Sequence, residues 1–408
     1  MERPGRRLAI AYVHYGAQSG VTEHVARALE ERGHEVRLVA ATGALEPRDP
    51  RTRWPRPSPD VLLHLAHAAV RFRSRALVHR WNTPFAFDRH SRAAGAALER
   101  LDPPPDVVLQ NGALFAPGLP APWPYVLLLD HTRALAMESP PVPEAGLEAP
   151  EEYGGAWAAR ETSAYLGASG IATFSRNVAR SLVRHYGVEP ERIRVVGAGA
   201  NAFPPEAPRH DDGRTIAFIG RDWRRKGGPI LAEAFVRVRR TNPRARLLVA
   251  GPRVRPPLPE GGVFLGAVPM DEVPALLSQA TVFAMPTLRE PFGIALLDAM
   301  ACGVPCVAAR VEAVPEIVRD GETGILAPPG DAAALAAGLA ALLADPDRGR
   351  AMGARGRERV AAGFLWEHVA ARLEDVLRAA AAAPTPTAGA PAPTSPRPGG
   401  VRAPPAPG

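Results

Sequence analysis

A single lysine, Lys226, stands in this chain of 408 residues beside 48 arginines. It lies in Gly220-Arg221-Asp222-Trp223-Arg224-Arg225-Lys226-Gly227, directly after the apolar run Thr215–Gly220. Arg221 and Lys226 therefore leave the same strand-end loop five residues apart. Arginine grips two oxygens with its planar fork, and lysine acts as a compact point charge. Together they suit a diphosphate that gathers negative charge as a bond to it breaks. A basic loop in an arginine-rich chain is the plainer alternative, and the placement of the sole lysine here argues against it.

A second constellation follows the apolar run Val282–Met285, in Thr287-Leu-Arg-Glu290-Pro291-Phe292-Gly293-Ile294-Ala-Leu-Leu-Asp298 and on to Gly303-Val304-Pro305. Pro291 suits the first turn of a helix, and Gly293 permits close approach of a ligand to the backbone. Unpaired amides at Phe292, Gly293 and Ile294 would then face an anion, aided by the helix dipole. Glu290 and Asp298 stand eight residues apart, about two helical turns, so both can address one ligand. Their carboxylates can accept hydrogen bonds from sugar and ribose hydroxyls. A third candidate is His131 in Asp130-His131-Thr132-Arg133, at the end of the apolar run Tyr125–Leu129. Its imidazole can meet a hydroxyl or a developing charge, with Asp130 as a lesser polar partner.

These residues need strands to hold them. Short apolar runs alternate with helical patterns in two successive series, which predicts parallel sheets covered on both faces. The first series runs through Leu8–His14, Val36–Ala40, Val107–Gln110, Tyr125–Leu129, Gly170–Thr173 and Ile193–Val196, with a first helix over Thr22–Arg32. The second runs through Thr215–Gly220, Arg246–Ala250, Val263–Leu265, Val282–Met285, Val304–Ala308 and Gly324–Leu326. Its helices are expected over Gly228–Arg240, Asp271–Ala280, Phe292–Ala301 and Asp331–Leu343. Asn201–Gly213, rich in proline and acids, reads as a linker. The expected organisation is a first Rossmann-like domain over 1–200, a linker over 201–213 and a donor-binding domain over 214–364. A helix over 365–381 packs back on the first domain, and a Pro/Ala-rich tail over 382–408 cannot bury a core. In open α/β sheets ligands bind beyond the carboxyl ends of strands, where all three candidate clusters lie.

With both loops in view, the second half of the chain resembles the donor domain of family 4 glycosyltransferases, retaining enzymes of the GT-B fold. The resemblance rests on EPFGIALLD followed by AMACGVP, and on the Arg-then-Lys loop GRDWRRKG; it covers about residues 214 to 380. It implies two doubly wound Rossmann-like α/β domains facing across a cleft. It also implies Arg221 and Lys226 on the diphosphate of a nucleotide sugar, with Gly220 in their loop. Glu290 goes on the donor sugar with Phe292, Gly293 and Ile294 beside it, Asp298 on the ribose, and His131 next to the transferred sugar. Two departures stand out. Asp298 replaces a usual glutamate, and Ala17-Gln18-Ser19-Gly20 replaces paired glycines, leaving Gly20 to approach the donor.

Composition narrows the alternatives. The hydrophobic share of 46% and charged share of 22% are those of a globular protein. The net charge of +7 is matched by residues 48 to 100 alone, with eleven Arg against Asp49, Asp60, Asp88 and Glu99. That stretch lacks the interleaved aromatics and modules of nucleic-acid binders, so no nucleic-acid partner is expected; a solvated surface, an anionic acceptor or acidic lipid accounts for it. Cys302 and Cys306 flank a Gly-Val-Pro turn with no partners for zinc, and read as buried thiols. The apolar run after Arg7 is too short for a signal peptide, and Ala332–Ala344 is far short of a membrane span. A cytoplasmic protein is expected, at most peripheral at the inner membrane face. No metal ion or cofactor is called for beyond the nucleotide-sugar co-substrate, since Arg221, Lys226 and helix-terminal amides can hold the departing diphosphate. The acceptor, a glycan, lipid or small molecule, falls to loops around Arg71–Asp88 and Met137–Gly155. Rival functions are a nucleotide-sugar epimerase, a phosphorylase, for which the one lysine is already committed, and a non-catalytic sugar-nucleotide-binding module.

Overall fold

The computed structural model describes residues 6–15, 20–41, 59–118, 121–143, 147–204 and 211–383. The loop 16–19, the arginines of 48–56, residues 205–210 of the linker and the tail beyond 383 lie outside the described residues. Strands β1 (Ala9–His14), β2 (Glu35–Ala40), β3 (Val107–Asn111), β4 (Tyr125–Leu129), β5 (Gly170–Thr173) and β6 (Ile193–Val195) form one six-stranded sheet. A second comprises β7 (Thr215–Ile219), β8 (Arg246–Ala250), β9 (Gly262–Gly266), β10 (Val282–Met285), β11 (Cys306–Ala309) and β12 (Gly324–Ala327). Every strand pair is parallel. Central strands β3, β4, β5, β10 and β11 are buried at every position, as helices on both faces require. Of the four edge strands, β2, β6 and β9 are only partly buried.

Strand order tells where each sheet can hold a ligand. The first runs β2-β1-β3-β4-β5-β6 and the second β12-β11-β10-β7-β8-β9. Counting from its own first strand, the second sheet has the order 3-2-1-4-5-6, which reverses between β7 and β10. Loops diverge at that switch point and leave a crevice. The Lys226 loop follows β7 and the Glu290 loop follows β10, so the two cation- and acid-bearing segments flank the crevice of one sheet.

Helix α1 (Val21–Glu31) covers the first sheet and turns its apolar face, Val25, Ala28 and Leu29, inward. Four further helices span the region between β2 and β3 and the approach to β5: α2 (Pro59–Phe72), α3 (Ala76–His79), α4 (Pro84–Leu98) and, after the short α5 (Arg133–Glu138), α6 (Gly155–Gly167). Helix α7 (Arg176–Tyr186) completes the first domain. The second contains α8 (Gly228–Thr241), α9 (Val273–Ser278), α10 (Ile294–Ala301), α11 (Val314–Ile317), α12 (Ala332–Ala344) and α13 (Pro346–Gly363). Two expected boundaries shift. The helix expected from Phe292 begins at Ile294, so Pro291 precedes it rather than occupying its first turn, because Gly293 takes a left-handed φ of 117° as N-cap. The strand expected from Val304 begins at Cys306, since Gly303, also left-handed, and Pro305 shape the turn before it. Both cysteines are buried thiols.

The last helix, α14 (Trp366–Ala382), crosses back to the first domain, where it packs on α1, β3, β4 and β5. Val369, Leu373, Leu377 and Ala380 recur at helical spacing on its buried face. Glu374 binds Arg32 at the end of α1 and accepts from Arg378 Nε at 2.7 Å, which locks the helix in register. Gly199 and Trp366 are so close that a Cβ at 199 would stand 2.6 Å from the indole. The first domain's core is thus completed by the far end of the chain. Leu373→Ala is expected to lower stability by about 2–5 kcal/mol, the usual range for truncating a fully buried leucine, as read from urea denaturation.

Candidate active site

The loops after β7 and β10 are stitched together by their backbones. Leu288 N donates to Arg225 O at 2.9 Å, and the Arg225 guanidinium donates to Arg289 O at 2.7 Å. Gly227, at φ 75°, lets the first loop press onto Pro286; a Cβ there would meet the Pro286 carbonyl at 1.8 Å. Gly220 lies against the Lys226 stem, with its amide on Ala250 O at 2.9 Å. This packing delivers the Lys226 ammonium onto the Glu290 carboxylate, and the two form a nearly buried ion pair. Burial pulls the Lys226 pKa down, with Glu290 opposing and Arg225 assisting. Arg221 stands exposed at the mouth of the loop, and no other described residue holds its side chain.

Beyond Glu290 the amides of Phe292, Gly293 and Ile294 meet no acceptor among the described residues. They open the N-terminus of α10 beside the ion pair, which is the arrangement an anion requires. Asp298 is placed differently from the sequence expectation. Glu290 lies ahead of the helix, and Asp298, one turn inside it, faces the linker. Its Oδ1 accepts from Asn201 N at 2.6 Å and Ala202 N at 2.9 Å. Glu290 lies outside the helix, so the two acids are not two residues of one helical face; the Glu290–Gly293 segment carries the first onto Lys226. Burial pushes the Asp298 carboxyl up to about 7 despite both amides.

Across the cleft, His131 follows β4. The helix behind it, α5, has its first amides filled by side chains: Arg133 N donates to Glu161, Ala134 N to Tyr186 Oη and Leu135 N to Thr132 Oγ1, at 3.2, 2.9 and 3.3 Å. Glu161 is buried, which raises its carboxyl, and it accepts from Tyr165 and Tyr186 at 2.9 and 2.8 Å. Thr132 Oγ1 lies 2.6 Å from Ser181 Oγ, which in turn meets His185 Nδ1 at 3.0 Å. This polar network fixes the start of α5 and so the position of His131. Asp130 is reached by water but surrounded by both domains; that enclosure, with Glu290 adding to it, raises its carboxyl against the pull of His131. Gly20 caps α1 at φ 80°, next to His24 and Asn201.

Family models match both halves of the chain. The family model for Glycosyltransferase Family 4 matches residues 18–202, and that for Glycosyl transferases group 1 matches residues 213–345. Alpha-maltose-1-phosphate synthase of Mycolicibacterium smegmatis is 31% identical over 332 residues, 70% of this chain and 84% of that protein. The chain belongs to the family 4 glycosyltransferases. A GDP-mannose-dependent alpha-(1-6)-phosphatidylinositol monomannoside mannosyltransferase of Mycobacterium tuberculosis is 35% identical over 209 residues, 47% of this chain and 54% of that one. Among solved structures, sucrose-phosphate synthase from Thermosynechococcus elongatus superposes with a TM-score of 0.67 at 21% identity, covering 91% of this chain and 98% of that one. Anabaena HepE in complex with UDP and glucose superposes at 0.59 with 15% identity, over 91% and 100%. These likenesses show the GT-B fold.

In this glycosyltransferase the two domains also touch one another, and sequence reasoning passed over Arg289, Glu312 and Glu316 in these contacts. Arg289 donates to the carbonyls of Ser139, Pro140 and Glu148, the last at 2.8 Å. Glu316 accepts the Arg176 and Asn177 amides, each at 2.9 Å, where Ser175 also caps α7. Phe174 and Phe292 meet edge to face with centroids 5.5 Å apart. Glu312 touches both sides of the cleft. Arginines and glutamates of this kind are too common in the chain to be singled out by type, and nothing in local spacing announces a partner 140 residues away.

Asp298 gives this site a pH signature. A carboxyl raised from 3.8 to about 7 stabilises the fold fully below the unfolded value, and that contribution is lost as pH rises through about 7. Asn can still accept both linker amides and pays no such charge cost. Relative to wild type, Asp298→Asn is therefore expected to gain at least about 1 kcal/mol of stability between pH 5 and pH 8, measured by denaturant titration at the two pH values.

Proposed function

We propose that this family 4 enzyme moves a hexose from a UDP- or GDP-linked sugar to a glycan, lipid-linked or small-molecule acceptor, with retention of configuration and without a metal ion. The observation that carries the reading is the Lys226–Glu290 pair beside the open amides of Phe292–Ile294. A donor diphosphate entering there takes the ammonium from Glu290 and lies against the free amides and Arg221. Glu290 is then released to accept hydrogen bonds from the sugar hydroxyls, with His131 facing the sugar from the other domain. The leaving group's growing charge is met by cations already in place, which is where electrostatic stabilisation is most effective. Front-face attack, assisted by the departing phosphate, would preserve configuration. Asp298 contributes through the linker it holds, and its second oxygen is left for the ribose.

Lys226→Ala is expected to cut sugar-nucleotide turnover by about 100-fold or more and weaken donor binding, while chelation of divalent ions leaves wild-type turnover unchanged. A screen of UDP-, GDP- and ADP-sugars by hydrolysis and thermal shift provides both readouts. Intact binding and turnover in Lys226→Ala would refute the donor site. Release of free epimerised sugar with no need for an acceptor would favour the epimerase reading instead, and binding of donor with no turnover would favour a non-catalytic module.

A lipid surface is the acceptor-side setting that one observation favours. Leu62, Leu63 and Val70 on α2 and Leu77 and Val78 on α3 are exposed, up to 86% at Val70. A solvent-facing helix is ordinarily polar there. Arg71 and Arg73 line an adjoining groove of about 500 Å³ with His67, Val70, Thr83 and Pro84. No helix among the described residues is long and apolar enough to cross a membrane, so the contact would be peripheral, on an anionic bilayer face such as the inner leaflet seen from the cytoplasm. Co-flotation with vesicles containing acidic phospholipid is expected, and its loss in Leu77→Asp/Val78→Asp. Wild type remaining at the bottom of the gradient would rule the lipid setting out.

A further inference from the structure

Glu312 follows β11 at the carboxyl end of the second sheet and holds a φ of 44°. A glutamate in the left-handed region is strained where glycine would be at ease. Such outliers persist when the surroundings over-determine them, and they cluster at functional sites. Here the surroundings are three loops drawn to one carboxylate, which is only 13% exposed. Oε2 accepts from Glu290 N at 2.6 Å. Oε1 accepts from Ser139 Oγ at 3.1 Å and stands 3.5 Å from His131 Nε2. That ring nitrogen is buried and makes no hydrogen bond among the described residues, so the carboxylate is the charge it faces.

We propose that Glu312 is a positioning residue for glycosyl transfer, its carboxylate clamping the His131 loop of the first domain to the Glu290 loop of the second. The proposal rests on the reading of the cleft as a donor-sugar site. One oxygen fixes the backbone of Glu290, the residue that meets the sugar. The other turns the imidazole so that Nε2 points across the cleft, and it holds Ser139, the residue after α5, against the second domain. Transfer depends on both halves being held in reacting geometry, and a misplacement of about 1 Å is enough to cost on the order of 100-fold in rate. Burial opposes the charge on Glu312, but the contact with His131 and the bonds from the Glu290 amide and Ser139 outweigh it and hold the carboxyl below its ordinary value. The clamp is therefore charged at neutral pH.

The test compares Glu312→Gly and Glu312→Gln in the full chain, with turnover of the sugar nucleotide selected by the wild type, calorimetric Kd for its nucleoside diphosphate, and melting temperature. Glycine takes φ 44° without strain, so Glu312→Gly is expected to melt within about 3 °C of wild type. Its nucleoside diphosphate Kd should stay within about threefold, because Arg221, Lys226 and the free amides are intact. Its kcat should fall by about 30-fold or more. Glu312→Gln should lose about fivefold: its amide oxygen still accepts from Glu290 N, while its amino group replaces the second accepting oxygen and the charge is lost. Turnover within twofold of wild type in both variants overturns the proposal. So does a kcat loss in Glu312→Gly matched by equal losses in nucleotide affinity and melting temperature, since that is the mark of a merely structural residue. Should Glu312→Gly fail to fold, Glu312→Gln decides: a kcat within twofold of wild type overturns the clamp. Failure of the wild type to bind or turn over any sugar nucleotide refutes the donor reading instead, and is seen without either variant.

Discussion

An ammonium and a carboxylate taken out of water together cost more in hydration than their attraction returns unless geometry and further hydrogen bonds are favourable. Lys226 and Glu290 are such a pair, and much of the second domain is arranged around the cost. The switch point between β7 and β10 supplies the crevice, Gly227 allows the two loops to touch, and Arg225 staples one backbone to the other. A hydrophobic pair would serve stability as well. Under the proposed function an ion pair offers exchange instead: an incoming diphosphate would replace the carboxylate on the lysine, and a sugar would replace the lysine on the carboxylate. The pair keeps both groups neutralised by one another.

Contacts between domains follow from the same demand for placement. The struts run from one domain to the other: Glu312 to Ser139, Glu316 of α11 to the start of α7, Arg289 to the segment after α5. Asp298 belongs to this set through the linker. It receives two amides of the crossing chain, and Asn201 in turn accepts from Trp366 Nε1 at 3.0 Å, where the chain crosses back. Trp366 stacks on His24 of α1, with ring centroids 5.5 Å apart. Donor helix, linker and returning helix are therefore one connected polar and aromatic assembly. An acid one methylene shorter than the family's usual glutamate fits that assembly, because its carboxylate stays close to the helix axis where the linker passes.

How much of this could be read from residues alone depended on the range of the interaction. β4, β5, β8 and β10 carry their own apolar runs between turn signals, and their bounds follow from the sequence. The Lys226 and Glu290 loops announce themselves because strand, turn and charge are contiguous in the chain. The start of α10 was misplaced because Pro291 is equally at home in a helix's first turn or just before it, and the left-handed Gly293 decides between them. Glu312 was invisible: its neighbours in sequence are ordinary, and its partners lie 22, 173 and 181 residues away. The orientation of Asp298 was hidden for a related reason. Spacing of eight residues places two acids on one face only if both lie in the helix, and one of them does not.

The division of labour between the domains follows from these ranges. The proposed donor site is local, built from two adjacent loops of one sheet, so it is encoded compactly in the sequence. His131 is held by a different and more diffuse device, in which Glu161, Tyr186, Ser181 and His185 fill the amides and hydroxyls at the start of α5. With those amides already occupied, the end of β4 is not an anion site, and under the proposed function the histidine rather than the helix dipole meets the sugar. Under the proposed function the second domain carries the charge chemistry, and the first supplies the imidazole of His131. Reaction would then require the two to meet, which gives the cross-cleft carboxylates a positioning role beyond the fold.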